Sequence, residues 1–321
     1  MASADAADAV AVELLPFIRV YASGRVERLL GTDTVAASLD ESTGVASKDV
    51  TVDPATNLSV RLYLPPAVAA GERLPIIVYF HGGGFMVESA ASPAYHRYLN
   101  ALTSRARVVA VSVEYRLAPE HPLPAAYDDS WAALAWAVAA AAPNAGNGPE
   151  PWLAEHGDAS RVFLAGDSAG ANIAHNVAMR AAAAPLPGGA GITGVLLMHP
   201  YFWDTSNTMG PALEDRIRHE WRFMCGSPDA RVDDPRLSPT VQGAPSLHAL
   251  PCKRVMVAVA EDDFLAAKGR AYYAALLASR WPGEAELVDT PGEDHVFHLQ
   301  RPSTASAAKM MNLIVDFVAR A

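Results

Sequence analysis

A pentapeptide at a strand-to-helix corner constrains this chain more than any other feature. An apolar run at 162–165, typical of a short buried strand, leads into Gly166-Asp-Ser168-Ala-Gly170, where an Ala-rich segment with helical spacing begins. A Gly-x-Ser-x-Gly turn between a strand and a helix holds its serine in a strained conformation and exposes the hydroxyl. Alone, the pattern is more typical of a tight turn with a capping serine. Other motifs in the chain are needed to tell whether Ser168 is a nucleophile or a helix cap.

The alternation of strand and helix patterns predicts an α/β fold. Nearly continuous apolar runs indicate strands covered on both faces, and helical patterns lie between most of them. The predicted strands are 75–80, 108–113, 161–165, 195–198, 255–259 and 286–289, and the predicted helices are 91–102, 125–141, 169–183, 267–279 and 303–320. We expect one domain, residues 1–321, with a mostly parallel sheet and helices on both faces. Its active site should lie at the carboxyl ends of the strands.

Three segments stand outside this alternation. Residues 48–52 and 58–64 alternate in hydrophobicity and predict an antiparallel hairpin at a sheet edge. In residues 1–45, apolar side chains recur at spacings of three and four, which predicts one or two amphipathic helices. Residues 201–251, rich in aromatic and turn residues, interrupt two core strands. We predict that 1–45 and 201–251 together form a lid over the active site.

Composition excludes several classes of partner. The 321 residues carry a net charge of -10, and clustered Lys and Arg, which nucleic acids and anionic membranes require, are not found. No apolar run reaches the length of a membrane span. Acidic residues near the amino end argue against a secretion signal, and Cys225 and Cys252 fit reduced thiols, so we expect a cytoplasmic protein. We expect a monomer or weak homodimer.

A run of three glycines follows the first predicted core strand. In His81-Gly-Gly83-Gly84-Phe85 the backbone N–H groups are bare and can approach a ligand closely, as an oxyanion hole requires. Gly83 and Gly84 are the predicted donors, with the N–H of Ala169 as the third. His81 is expected to brace the loop.

A serine nucleophile on this fold needs an acid and then a base further along the chain. The strand at 255–259 runs into three carboxylates, of which Asp263 is the predicted acid, with Asp262 as the second choice. His295 follows the last strand and is the predicted base. His298 is expected to start the next segment or line a wall.

Several motifs in this order resemble the hormone-sensitive-lipase-like group of α/β-hydrolases. They are His81-Gly-Gly-Gly, the stretch 113–129, and Gly166-Asp-Ser-Ala-Gly-Ala-Asn172. More closely, residues 166–175, 199–203 and 292–299 resemble the plant carboxylesterases of that group. The resemblance extends from about residue 47 to the carboxyl end. It implies a catalytic triad of Ser168, Asp263 and His295 and an oxyanion hole of Gly83, Gly84 and Ala169.

The same plant group contains proteins that are not simple esterases. Its gibberellin receptors lack the catalytic histidine and carry serine for the third glycine, whereas this chain keeps His295 and Gly84. Its 2-hydroxyisoflavanone dehydratases tend to carry threonine at the nucleophile position, and its tuliposide-converting enzymes transfer an acyl group within the molecule. Ser168 therefore favours an esterase. A dehydratase-like lyase with His295 as base, or a non-catalytic binder, stays the alternative.

We therefore expect a serine carboxylesterase that hydrolyses esters of small molecules through an acyl-enzyme on Ser168, with no metal or other cofactor. Aromatic and apolar side chains near the strand ends predict an apolar pocket. The candidate substrate-binding residues are Phe85, Met86, Tyr201, Trp203 and Val296.

Overall fold

The computed structural model describes residues 8–142, 150–204 and 209–320. Its centre is an eight-stranded sheet in the order β11-β10-β9-β8-β6-β7-β5-β4. From β11 to β7 all neighbours are parallel, and β5 and β4 are added antiparallel. The strands are β4 (Ala46–Asp53), β5 (Leu58–Leu64), β6 (Leu74–Phe80), β7 (Val109–Glu114), β8 (Gly157–Asp167), β9 (Ile192–Met198), β10 (Arg254–Ala260) and β11 (Glu284–Thr290). The predicted mostly parallel sheet and its antiparallel edge hairpin are confirmed.

Helices cover both faces of this sheet. They are α1 (Pro93–Ala106), α2 (Ala125–Ala140), α3 (Pro151–His156), α4 (Ala169–Ala183), α5 (Pro211–Met224), α6 (Ala266–Ala278), α7 (Phe297–Gln300) and α8 (Ala305–Ala319). Side chains of α2, α4 and α6 share one core cluster with Val78 and Leu164, while those of α1 and α8 share the other with Ile77 and Phe163. Successive strand residues thus enter opposite cores, which explains the continuous apolar runs.

The amino-terminal region differs from the prediction. Instead of amphipathic helices, residues 10–28 form a small antiparallel sheet of β1 (Val10–Leu14), β2 (Ile18–Tyr21) and β3 (Val26–Arg28). Pro16 lies between the first two strands and disfavours a continuous helix there, and β-branched residues recur in those strands at Val10, Val12, Ile18 and Val20. The recurrence of apolar residues at three and four was therefore a coincidence of two short strands joined by a turn.

The described part of the segment between β9 and β10, residues 199–204 and 209–253, contains one substantial helix. This helix, α5, buries Ile217, Trp221 and Met224 against the main core. No helix in the described ranges is long and apolar enough to cross a membrane.

Candidate active site

The serine of the pentapeptide occupies the corner between β8 and α4. Ser168 has φ 53° and ψ -118°, a left-handed conformation that is rare for a residue with a side chain. Its N–H donates to the Met198 carbonyl at 2.9 Å, and its carbonyl accepts from the Tyr201 N–H at 3.0 Å. These bonds to the end of β9 and the segment after it fix the strained residue. Ser168 is 8% exposed.

The elbow and the glycine loop are in direct backbone contact. A Cβ atom at Gly170 would lie 1.9 Å from the carbonyl oxygen of Phe80, the last residue of β6. No side chain fits in that space, so glycine is required at this position. The contact brings the start of α4 against β6, the strand that leads into the glycine loop.

The peptide bond between Gly82 and Gly83 is fixed by hydrogen bonding at the Gly82 carbonyl. The Gly82 carbonyl accepts from His81 Nδ1 at 2.8 Å, and Tyr115 Oη donates to the neighbouring His81 carbonyl at 2.7 Å. Because a trans peptide points its N–H opposite to its carbonyl, the bond to the Gly82 carbonyl orients the Gly83 N–H. Gly83 has φ 93°, and a Cβ there would lie 2.2 Å from the Val87 carbonyl oxygen. Burial lowers the pKa of His81, which keeps its ring neutral.

A buried carboxylate ties this loop to the elbow. Tyr95 Oη accepts from the Gly82 N–H at 2.8 Å and donates to Asp167 Oδ2 at 2.9 Å. Tyr79 Oη donates to Asp167 Oδ1 at 2.8 Å. Burial raises the pKa of Asp167 to about 6, although both tyrosine hydrogen bonds oppose that shift. We name this group of Tyr79, Tyr95, Asp167 and the Gly82 N–H the tyrosine clamp.

The predicted base and acid meet at the ends of β10 and β11. His295 Nδ1 and Asp263 Oδ2 are 2.7 Å apart, and His199 Nδ1 lies 3.6 Å from the same oxygen. The Leu265 N–H donates to Asp263 Oδ1 at 2.9 Å. Burial acts to raise the pKa of Asp263, but its interactions with His199 and His295 outweigh burial and hold that pKa well below its usual range. Asp263 is therefore an anion that faces an imidazole.

These groups border a single cavity of about 310 Å³. Ser168, Gly83, Gly84 and His295 all line it. The remaining lining is mostly apolar and comes largely from outside the main sheet: Pro16, Phe17, Leu30, Met86, Tyr201, Met224, Phe264, Leu265 and Val296. Its charged lining residues, besides His295, are Glu88, Asp167, Arg216 and Glu220.

The candidate substrate-binding residues divide into two groups. Met86, Tyr201 and Val296 line the cavity, as expected. Phe85 and Trp203 do not: both are buried in the core. Phe85 packs edge-on against Tyr201, and the Trp203 ring lies under Lys268 Nζ. An aromatic residue at a strand end can turn into the core as easily as toward a ligand, and the sequence does not distinguish the two.

The other candidates near the acid and the base have different surroundings. Asp262 is exposed, and Glu261 accepts from the Gly292 N–H at 2.9 Å. His298 is buried and stacks on His199 with ring centroids 5.5 Å apart. Ala169 is the first residue of α4, so its N–H has no acceptor within the helix.

Sequence reasoning missed the residues that support these groups. The role of Tyr95 follows only from the packing of α1 against β6, and no sequence signal predicts it. Asp167 could have been suspected, because a carboxylate inside a buried elbow needs hydrogen-bond donors. The cavity residues Pro16, Phe17 and Leu30 were hidden by the incorrect helix prediction.

One group could be considered for a metal ion. Among residues 8–142, 150–204 and 209–320, the one cluster of three possible ligands is His199, Asp263 and His295, whose atoms lie within 4.8 Å of one another. The 2.7 Å contact of His295 with Asp263 is a hydrogen-bond distance, which leaves no room for an ion between those atoms. The donor set suits an acid–base pair better than a metal centre.

Comparison with known proteins agrees with this arrangement. The model of the α/β hydrolase fold family matches residues 77–299. Tuliposide A-converting enzyme 1 of Tulipa gesneriana is 48% identical over 97% of this chain and 78% of its own length. Probable carboxylesterase 2 of Arabidopsis thaliana is 43% identical over 96% of both chains. Esterase LipW from Mycobacterium marinum has a TM-score of 0.69 with 29% identity, covering 87% of this chain and 82% of its own.

The chain belongs to the α/β-hydrolase fold family. Within that family it is a carboxylic ester hydrolase of the plant carboxylesterase group, as the motifs predicted. The predicted cytoplasmic location is wrong on this comparison, because its relatives from tulip are named chloroplastic or amyloplastic. Cysteine content separates oxidising from reducing compartments and does not separate one reducing compartment from another.

Proposed function

We propose that Ser168, His295 and Asp263 act as nucleophile, base and acid of a serine carboxylesterase. The observation that carries this assignment is the 2.7 Å contact of His295 with Asp263 at the wall of the cavity that Ser168 also lines. His295 takes the hydroxyl proton as Ser168 attacks the ester carbonyl, and the Asp263 anion stabilises the imidazolium. The alcohol leaves with that proton.

The oxyanion that forms is stabilised by N–H groups of Gly83, Gly84 and Ala169 in this proposal. Loss of one such donor typically lowers the rate about 10²- to 10³-fold. Water then attacks the acyl-enzyme with His295 again as base, which releases the acid and restores Ser168. Besides the ester and water, these steps use only groups of the protein.

The decisive experiment combines labelling with turnover. A fluorophosphonate should add to the wild-type protein, with the adduct mapped to Ser168, and p-nitrophenyl acetate should be hydrolysed. Ser168→Ala should lose labelling and at least about 10³-fold in kcat. The control Ser160→Ala removes an exposed hydroxyl far from the cavity and should keep both. More than a few per cent of turnover in Ser168→Ala would contradict the assignment.

The alternative, a dehydratase-like lyase, predicts neither labelling of Ser168 nor ester hydrolysis. A dehydratase would use His295 as base without acylating Ser168, so the fluorophosphonate would not label it and esters would not turn over. Dehydration of hydroxylated flavonoids would then be the reaction to test. The matched presence of Ser168, His295 and Gly84 at one cavity supports the esterase.

We also propose that residues 1–45 and 201–251 form a lid that covers the substrate. Pro16, Phe17 and Leu30 from the former and Tyr201, Arg216, Glu220 and Met224 from the latter line the cavity. The protein is proposed to act on small-molecule esters as a monomer or weak homodimer. The names of its relatives support a plastid location, which a fluorescent fusion of the full natural protein would test.

A further inference from the structure

Glu88 occupies an unusual position beside the oxyanion loop. It lines the cavity and has φ 72°, a left-handed backbone conformation. A Cβ at Gly31 would lie 2.8 Å from Glu88 Cδ, and one at Gly83 would lie 3.0 Å from Glu88 Cγ. Two loops distant in sequence therefore close on this side chain through glycines. The Glu88 side chain is therefore packed between these two loops at the cavity wall.

The other charged groups of the cavity have partners. Asp167 accepts from two tyrosines, and His295 contacts Asp263. Glu220 accepts from Arg216 Nε at 2.7 Å and from Tyr201 Oη at 3.2 Å.

Glu88 is different. Within the described part of the chain, no hydrogen bond or ion pair reaches its carboxylate. A carboxylate that lines a substrate cavity without a partner of its own points to a partner that arrives with the substrate.

The sign of the cavity's charge indicates what that partner is. Three carboxylates, Glu88, Asp167 and Glu220, line it with one guanidinium, that of Arg216. A second anion is repelled in such a site, and a cation is attracted, more strongly than in water because the apolar lining lowers the effective dielectric constant. A fixed anion near the oxyanion hole also opposes the negative charge of the transition state unless a positive group balances it.

We propose that Glu88 is a specificity-determining residue that favours esters carrying a positively charged group, such as a quaternary or protonated amine. This proposal rests on the proposed esterase function and adds the charge of its substrate. The ammonium group lies against Glu88 in the bound ester. There the positive charge of the ammonium group balances the negative charge of Glu88, both in the bound ester and while the oxyanion forms.

The test uses pairs of esters that differ only in charge. Trimethylammonio and tert-butyl groups have nearly the same shape, so each pair isolates the charge. One pair varies the acyl group, p-nitrophenyl 4-(trimethylammonio)butanoate against p-nitrophenyl 5,5-dimethylhexanoate. The other varies the alcohol, 3-(trimethylammonio)phenyl acetate against 3-tert-butylphenyl acetate. The measured quantity is the ratio of kcat/KM for the cationic ester to that for its neutral partner.

In the wild-type enzyme at low salt this ratio should exceed one for at least one pair. Glu88→Gln should lower it about tenfold, since the variant keeps the shape and removes the charge. The control Glu155→Gln changes a carboxylate that is 70% exposed and should keep the wild-type ratio. The pair whose ratio falls identifies which half of the ester lies beside Glu88.

Salt provides a test without any substitution. Raising the salt concentration should lower the wild-type ratio, because mobile ions screen a cavity that is open to solvent. Ratios at or below one for both pairs, or a Glu88→Gln ratio within twofold of wild type, would overturn the proposal. If Ser168→Ala meanwhile abolishes turnover of the neutral esters, the esterase function stands and only the charge preference fails. A wild-type enzyme that hydrolyses none of the four esters refutes both.

Discussion

The two walls of the cavity are built in different ways. On one side, the groups proposed for catalysis stand at the ends of β6, β8, β10 and β11 and are fixed by backbone contacts and buried hydrogen bonds. On the other side, Phe17 lies in the turn between β1 and β2, Leu30 lies just after β3, and Arg216 and Glu220 lie on α5. The first wall belongs to the main sheet, and the second lies upon it.

This difference separates reactivity from selectivity. On the sheet side, Tyr95 shares a hydrogen bond with Asp167 and Gly170 lies against β6, so these positions cannot change without disturbing buried contacts. On the covering side, Phe17 and Leu30 are only partly buried and Arg216 is exposed, so these side chains can be exchanged at the cost of local contacts. We therefore expect changes on the sheet side to act on kcat and changes on the covering side to act on KM.

The largest effect is expected from the tyrosine clamp. Tyr95→Phe leaves the buried Gly82 N–H without its acceptor and frees the oxyanion loop from Asp167. We expect kcat for p-nitrophenyl acetate to fall about 10- to 100-fold, less than the loss of an oxyanion donor itself, with KM nearly unchanged.

A matched control exists within the same clamp. Tyr79→Phe removes the other hydrogen bond to Asp167 and touches no group of the loop. Its kcat should fall much less than that of Tyr95→Phe. If kcat fell equally in the two variants, the clamp would act only by stabilising Asp167 and not by positioning the loop. The proposed difference between the two walls would then lose this support.

A smaller effect is expected where the covering side attaches. Arg28, at the end of β3, donates to the Met86 carbonyl at 2.8 Å and pairs with Glu120 at 2.8 Å. Arg28→Ala should loosen the amino-terminal sheet, raising KM about three- to tenfold while kcat changes by less than twofold. Arg19→Ala removes an exposed arginine of the same sheet and is the control. If Arg28→Ala lowered kcat and left KM unchanged, Arg28 would act like the residues of the sheet side, and this prediction would be wrong.

The smallest effect concerns stability against pH. The folded pKa of Asp167 is about 6, above its ordinary value of 3.8. Between those values the native state holds a proton that the unfolded chain has lost, so this group's contribution to the free energy of unfolding decreases as pH rises. Asp167→Asn cannot ionise. As pH rises from 4.5 to 7.5, the free energy of unfolding of this variant, measured by urea unfolding, should increase by about 1–3 kcal/mol relative to that of the wild type. The exposed Asp262→Asn should show no such gain, and equal behaviour of the two variants would contradict the assigned shift.

The same contrast explains what the sequence could predict. Ser168, Asp263, His295 and the glycine loop follow buried strands, whose continuous apolar runs are a strong signal, and the strand ends of a parallel sheet meet at one edge. Helix α4 has the predicted bounds, 169–183, because a glycine-rich corner and an Ala-rich run mark it. Domain organisation and lid function stay predictions.

The covering side gave no comparable signal. Strands of three to five residues, such as Val26–Arg28 and Val10–Leu14, are too short for their period of two to be distinguished from a helical period. Pro16 and Gly24 disfavour a continuous helix in this stretch, but the spacing of its apolar residues does not show that it forms strands. Phe85 and Trp203 show the same limit for single side chains, since strand-end aromatics can face the core or the cavity.

The absence of space at Gly170 has a consequence for altering this enzyme. Its Cα lies so close to the Phe80 carbonyl that any side chain there would push β6 away from α4. Libraries aimed at new substrates should therefore leave the two glycine-rich corners unchanged and diversify residues 16, 17, 30, 88 and 216. Those positions lie on four separate stretches of chain. Each stretch can therefore be varied as its own segment of the gene while the reactive centre stays unaltered.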